Sequence, residues 1–263
     1  MLLAFVFILG LFVGSFLNVV VYRLHREESF VKGFSKCLFC GHRLYPKDLV
    51  PLFSFLFLRG KCRYCRHKIS KQYFLMEIAT AFGFALIAYT LWQTTDSQVI
   101  LANISNLLIF KTLVWWLFFS YLLIIFVYDL KYYLILDQVT LPAIIIFFLI
   151  NLFLGFSWQS LLVGALVGGG FFFLQFIISR GKWIGGGDIR LGLLLGVILG
   201  WPQVLTALFV AYLLGSLFAI GLLLSGKKHW GDKLPFGTFL SLATLIVLLY
   251  GEVLIKWYWS LWL

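Results

Sequence analysis

Apolar residues fill this chain in runs of about twenty, broken by short polar segments, and that spacing is the first thing the pattern establishes. A helix that crosses the hydrocarbon core of a bilayer needs ~20 mostly apolar residues. The runs predict helices over residues 2–22, 73–92, 105–127, 138–155, 160–178, 189–200, 203–224 and 236–255. The fold class is therefore an all-α polytopic membrane protein of about eight transmembrane helices, the sixth of them short. Gly200-Trp201-Pro202 reads either as a tight turn or as a kink inside one longer segment. Proline lacks a backbone donor and disfavours helix at the residue before it. The first run has no basic residues ahead of it, which favours a retained helix over a cleaved signal peptide.

Composition narrows the class. Hydrophobic residues make up 62% of the chain and charged residues 12%, against ~25% charged in ordinary soluble domains. No soluble core absorbs that much apolar surface. The net charge of +11 is concentrated, because residues 23–71 carry twelve Lys/Arg against Glu27, Glu28 and Asp48. By the positive-inside rule this loop is cytoplasmic. Following the spans from there puts Lys131, Arg180, Lys182, Arg190, Lys227 and Lys228 on the same side, while the 93–104 loop, with Asp96 and no Lys or Arg, falls outside. The basic balance thus reads as topology and contact with the anionic lipid bilayer, not as a nucleic-acid site. Trp257-Tyr258-Trp259-Ser260-Leu261-Trp262 reads as an interfacial aromatic belt.

All four cysteines lie in the basic loop, as Cys37-Leu-Phe-Cys40 and Cys62-Arg-Tyr-Cys65. Two C-x-x-C knuckles can each point two thiolates at one ion, and four thiolates close a structural zinc site with no open position. Lys36, Lys61, Arg63 and Arg66 offset its negative charge. The 21 residues between the knuckles slightly exceed the usual zinc spacing, and disulfides are the rival if the loop is not cytoplasmic. His42 and His67, two residues past each knuckle, are expected to be polar surface residues and not ligands. Between the knuckles, Leu49–Leu58 is apolar but too short to span, which suits an interfacial or re-entrant segment.

Among ten acidic residues, Asp129 and Asp188 each sit where an apolar helix meets a polar turn. A charge at membrane depth costs ~2.5 kcal/mol or more, so such an acid is a functional candidate. Paired carboxylates can divide the work of a general base on water and a general acid toward a scissile carbonyl. Asp188 follows Gly185-Gly186-Gly187, which leaves no side chains beside it. Asp129 has a plain alternative as a helix-end residue paired with Lys131, and Asp137 reads best as an N-cap for the helix from Gln138. Chemistry alone leaves both Asp129 and Asp137 as possible partners of Asp188. Intramembrane acids also occur in transporters and proton relays, but there they lie mid-span, and these lie at borders.

Several blocks, in order, resemble the type IV prepilin peptidases. They are Gly14-Ser15-Phe16-Leu17-Asn18-Val19-Val20 with Tyr22-Arg23-Leu24, Ser35 to Cys40, Asp48-Leu49-Val50-Pro51-Leu52, Leu58 to Cys65 and Glu77. After these come Asp129-Leu130 with Asp137 to Pro142, the GxGD-like Gly185-Gly186-Gly187-Asp188, and Pro235-Phe236-Gly237-Thr238-Phe239-Leu240. The family often has a proline where this chain has Leu136. The resemblance implies an aspartic endopeptidase that removes the leader of prepilin or pseudopilin precursors after a glycine, and N-methylates the new terminus from S-adenosylmethionine. It implies that Asp129 and Asp188 are the catalytic pair and that the cysteine loop is linked to methylation. The corresponding division is residues 1–22 as first helix, 23–72 as cytoplasmic four-cysteine domain, 73–104 as second helix and external loop, and 105–263 as the peptidase membrane domain. No glycine fingerprint marks the methyl-donor site. The resemblance places the chain in a bacterial inner membrane.

Overall fold

The computed structural model describes residues 1–93, 105–229 and 231–260. Residues 94–104 of the expected 93–104 loop, with Asp96, and Leu261 and Trp262 of the aromatic belt lie outside them. Among the described residues the chain is helical: α1 Leu2–His25, α2 Phe53–Phe57, α3 Lys71–Gln93, α4 Ser105–Tyr132, α5 Asp137–Phe153, α6 Trp158–Ser179, α7 Gly186–Leu199, α8 Gln203–Leu224 and α9 Phe236–Ser260. A single turn of 3₁₀ helix, Pro46–Asp48, precedes α2. Each of the eight expected long segments is a helix. Six of them, α1, α3, α4, α6, α8 and α9, are long and apolar enough to cross a membrane. At 1.5 Å per residue, α5 with 17 residues and α7 with 14 reach only ~25 and ~21 Å. Gly200-Trp201-Pro202 is a turn between two separate helices, with Gly200 at φ +70°.

The chain divides into two compact units, Met1–Ser120 and Tyr121–Leu263, and the division falls within α4. In the first unit α1 lies on α3 through small residues. A Cβ on Gly10 would sit 2.6 Å from the Ala81 Cα, and one on Gly14 would sit 2.7 Å from the Glu77 Cα. Phe5, Ile8, Phe12 and Phe16 of α1 are exposed, while Val6, Leu17 and Val21 are buried. Both faces of α1 are apolar, as a membrane span requires, so residue size and not polarity marks the packed face. Trp116 of α4 stacks on Phe84 of α3 and donates its indole N–H to the Phe84 carbonyl at 3.0 Å.

In the second unit α6 and α7 meet backbone to backbone. A Cβ on Gly168 would approach the Gly192 oxygen to 2.3 Å, and one on Gly196 would approach the Gly164 oxygen to 2.1 Å. Glycines four apart on both helices thus form one close seam, the packing that small residues permit between helices in lipid. Asn151 of α5 ties itself to the other side of α7 by donating to the Val197 carbonyl at 2.7 Å. Held on two sides, α7 carries Asp188 in its first turn.

Gly196→Val is expected to open this seam. It would lower the thermal midpoint of the detergent-solubilised protein, since overpacking costs ~1–3 kcal/mol or more, whereas Gly170→Ala, which meets open space, should leave the midpoint unchanged.

Candidate active site and metal centre

Asp129 lies in the last turn of α4, at the end of an apolar span as the hydropathy pattern suggested. The side chain is buried. Near the C-terminus of its own helix a carboxylate faces an unfavourable dipole, and the first turn of α9 compensates. There the Thr238 N–H donates to Asp129 Oδ2 at 2.8 Å and the Thr238 hydroxyl at 3.2 Å. The opening N–H groups of a helix have no partner within it and favour an anion. Gly237 is required by this approach, because a Cβ there would sit 3.1 Å from Asp129 Oδ2 and 2.9 Å from Ile135 Cδ1.

Asp188 is the third residue of α7, and its carboxylate reaches back to accept the Gly185 N–H at 3.1 Å. The run of three glycines is not uniform in purpose. A Cβ on Gly187 would press to 2.9 Å against the Ile135 Cβ, whereas Gly186 faces open space. Ile135 therefore touches both the glycine before Asp188 and the glycine beside Asp129. The two carboxylates are near enough for their charges to act on each other. Tyr212 of α8 donates its hydroxyl to Gln175 at 2.9 Å, and its ring packs on Phe236, the residue before Gly237.

The other local readings change. Lys131 does not pair with Asp129, and its ammonium lies over the Tyr132 ring. Asp137 is the first residue of α5 instead of its N-cap, which is Leu136, and it forms an ion pair with Arg190 of α7. Leu136 is extended, at φ −84° and ψ 126°, close to the backbone that proline would impose. Thr238, Gly237 and Ile135 had no role assigned from sequence. Thr238 stood in a recognisable block, but nothing in the pattern linked it to a residue 109 positions earlier.

In the first unit the cysteine loop is built twice, with every equivalent residue 25 positions later. The Cys37 N–H donates to the His42 carbonyl and the Leu44 N–H to Ser35, and likewise Cys62 to His67 and Ile69 to Gly60. Gly41 and Arg66 hold the same left-handed turn, at φ +70° and +58°. The copies interlock, since Phe39 of the first stacks on His67 of the second, and Tyr64 of the second on His42 of the first. The histidines are thus occupied as stacking partners. The four sulfurs lie within 4.8 Å of one another, and Cys37 and Cys65 are 3.9 Å apart and not bonded. Metal–sulfur bonds of ~2.3 Å in a tetrahedron put sulfurs ~3.8 Å apart, so this donor set fits a closed, four-thiolate metal site. The Cys65 thiol accepts a backbone hydrogen bond near His67 that lowers it, but burial and the three neighbouring thiols push it up to about 12. A cation at the centre is what allows such thiols to ionise together.

Asp48 ties the loop's 3₁₀ turn to the second knuckle, accepting from Arg63 at 2.6 Å, Tyr64 at 3.0 Å and the Tyr45 N–H at 3.1 Å. Burial alone would raise this carboxyl, yet those bonds and the Arg63 charge together hold it below its usual range.

A multi-pass helical protein with one buried carboxylate seated against the start of α9, another held in the first turn of α7, and four gathered thiols in its first unit has the elements of a membrane aspartic peptidase. Comparison with known proteins is more specific. Residues 8–91 match the bacterial peptidase A24 N-terminal domain, and residues 116–220 match the type IV leader peptidase family. A prepilin leader peptidase/N-methyltransferase of Bacillus subtilis is 34% identical over 98% of this chain and 98% of its own length. Proteins of the same description from Aeromonas hydrophila and Pseudomonas aeruginosa are each 30% identical over 96% and 95% of this chain, and 92% and 91% of their own. No solved structure matches. The chain belongs to the type IV leader peptidase family, and it is a peptidase.

Thr238→Val keeps the backbone donor to Asp129 and removes the hydroxyl. Hydrogen bonds to charged groups are worth ~1.5–3 kcal/mol, so peptidase kcat is expected to fall roughly 10-fold or more, with Thr238→Ser near wild type. Equal rates in all three proteins would show that the hydroxyl contributes nothing to the site.

Proposed function

We propose that this chain removes the leader of type IV prepilins or pseudopilins through Asp129 and Asp188, and N-methylates the terminus so exposed. The observation that carries the peptidase reading is the seating of both carboxylates. Asp129 rests against the start of α9, Asp188 is held at the start of α7, and Ile135 touches the glycine flanking each. One carboxylate takes a proton from water as the oxygen attacks the peptide carbonyl, and the other protonates the carbonyl oxygen; as the tetrahedral intermediate collapses, the first gives its proton to the leaving amine and the second regains one from the hydroxyl. Asp137 has no part in this, because Arg190 holds it. Thr238 keeps Asp129 in one orientation, so a water held by that carboxylate is presented from a fixed direction.

The charge distribution supports a cytoplasmic position for the basic loop and for the ends of α4 and α7 that bear the aspartates. A prepilin would arrive laterally in the bilayer as an apolar helix with a basic leader in the cytoplasm, and a glycine at the cleavage point would ease local unwinding. The methylation half of the reading comes from the relatives' description, and S-adenosylmethionine is the donor it implies. Zinc is the metal proposed for Cys37, Cys40, Cys62 and Cys65, as a structural ion that joins the two loop copies.

Coexpression with a prepilin, followed by mass spectrometry, reads cleavage and methylation together. Asp129→Asn and Asp188→Asn are each expected to lower leader removal by at least ~10²-fold, the scale of losing a general acid or base, while the protein still inserts. Normal processing in either variant would exclude the pair. Metal analysis of purified protein should give roughly one zinc per chain, lost in a Cys37→Ser plus Cys62→Ser variant that still cleaves but no longer methylates. A metal-free wild type that methylates normally would overturn the zinc assignment.

A further inference from the structure

The glycine seam between α6 and α7 also sets which residues stand side by side beyond it. A Cβ on Gly164 would meet the Gly196 oxygen at 2.6 Å, and one on Gly168 the Gly192 oxygen at 2.3 Å. Each step of four up α6 is therefore a step of four back along α7. Seven residues past Gly168 comes Gln175, and seven residues before Gly192 comes Gly185. Seven residues fall only about 20° short of two full turns. Gln175 thus stands on the seam face of α6, level with the glycine whose N–H the Asp188 carboxylate accepts.

Composition marks Gln175 as an exception. From Leu161 to Ile178 it is the single polar side chain of α6, and a polar group inside a membrane span is costly and a functional candidate. Half of its hydrogen-bonding capacity is used. The amide oxygen accepts the Tyr212 hydroxyl of α8 at 2.9 Å. The amide nitrogen, which carries two N–H donors, has no hydrogen-bond partner among the described residues. Tyr212 is itself fixed between rings, with Phe171 at 5.7 Å and Phe236 at 5.0 Å between centroids. Phe236 precedes Gly237, which lies against Asp129. There is also room for a chain here, because a Cβ on Gly186 would meet nothing within 4 Å.

A peptide unwound at membrane depth must find a partner for every N–H and C=O that it exposes. Hydrolysis needs that unwinding at the scissile bond, and the amide nitrogen of Gln175 is a donor without an acceptor at the level of the turn that opens α7. We propose that Gln175 binds the substrate main chain, donating from its amide nitrogen to a carbonyl of the extended peptide next to the scissile bond. Tyr212 is a positioning residue that acts through it, holding the amide oxygen so that the nitrogen is left for the peptide. Gln175 moves no proton. Because the contact is to main chain, it carries no preference for the side chains around the cleavage point. The inference rests on the assignment of Asp129 and Asp188 above.

Gln175→Met and Tyr212→Phe both remove the bond between α6 and α8, but only Gln175→Met removes the amide donor. The test measures leader cleavage by purified full-length variants in detergent over a range of prepilin concentrations. Gln175→Met is expected to raise KM about tenfold with kcat within about twofold, and Tyr212→Phe to raise KM no more than about threefold. A partly misfolded preparation lowers kcat through its active fraction and leaves KM where it was, so the two causes separate. Gln175→Ala is read in the same way if Gln175→Met does not insert. Equal KM in the two variants would assign Gln175 to helix packing alone and overturn the proposal, as would a fall in kcat at unchanged KM. An Asp188→Asn protein that still cleaves would instead overturn the assignment on which it rests.

Discussion

The second unit depends on burying the Asp129 carboxylate without leaving it uncompensated. A lone buried charge is destabilising by several kcal/mol, and here the compensation comes from the backbone of a distant helix. The Thr238 N–H would be unpaired at the start of α9, and Asp129 would be unpaired at the end of α4. Each satisfies the other. This exchange fixes where α9 begins, requires glycine at 237 and sets the direction in which Asp129 points. The polar requirement of one side chain thereby positions two helices that share little apolar contrast with their surroundings.

Elsewhere, size does what polarity does in soluble proteins. Helices that are apolar on every side cannot be sorted by a hydrophobic face, and in lipid no hydrophobic gain distinguishes one face from another. The α6–α7 seam at Gly164, Gly168, Gly192 and Gly196, and the α1–α3 contact at Gly10 and Gly14, are specified by the absence of side chains. The shortness of α7 follows from the same logic, since it is a well-enclosed element ending at the Gly200 turn, with Leu191, Leu194 and Leu195 fully buried.

The cysteine loop solves a different problem. It has little apolar core of its own, and two copies of one hairpin-like turn are locked by reciprocal ring stacking and by four converging thiols. The left-handed backbone shared by Gly41 and Arg66 shows that the geometry is demanded by the turn, because Arg66 adopts it at a steric cost that Gly41 avoids. Glu77 and Leu52 connect this loop to α3, so the order of the loop and the shape of a cavity beside it are linked.

The positions of the eight long helices, the membrane class and the gathering of Cys37, Cys40, Cys62 and Cys65 were legible in the chain alone, because run length and local ligand spacing are near-neighbour properties. The functional difference between Gly186 and Gly187 was not, since it depends on Ile135 from another segment. Nor were the fates of the acids. Asp129 and Asp137 are both polar residues at the edge of an apolar run, and local pattern treats them alike. Only tertiary structure gives Asp129 the first turn of α9 and Asp137 the guanidinium of Arg190. The physical reason is that a buried carboxylate takes its character from its donors, and those donors come from parts of the chain that sequence spacing does not connect.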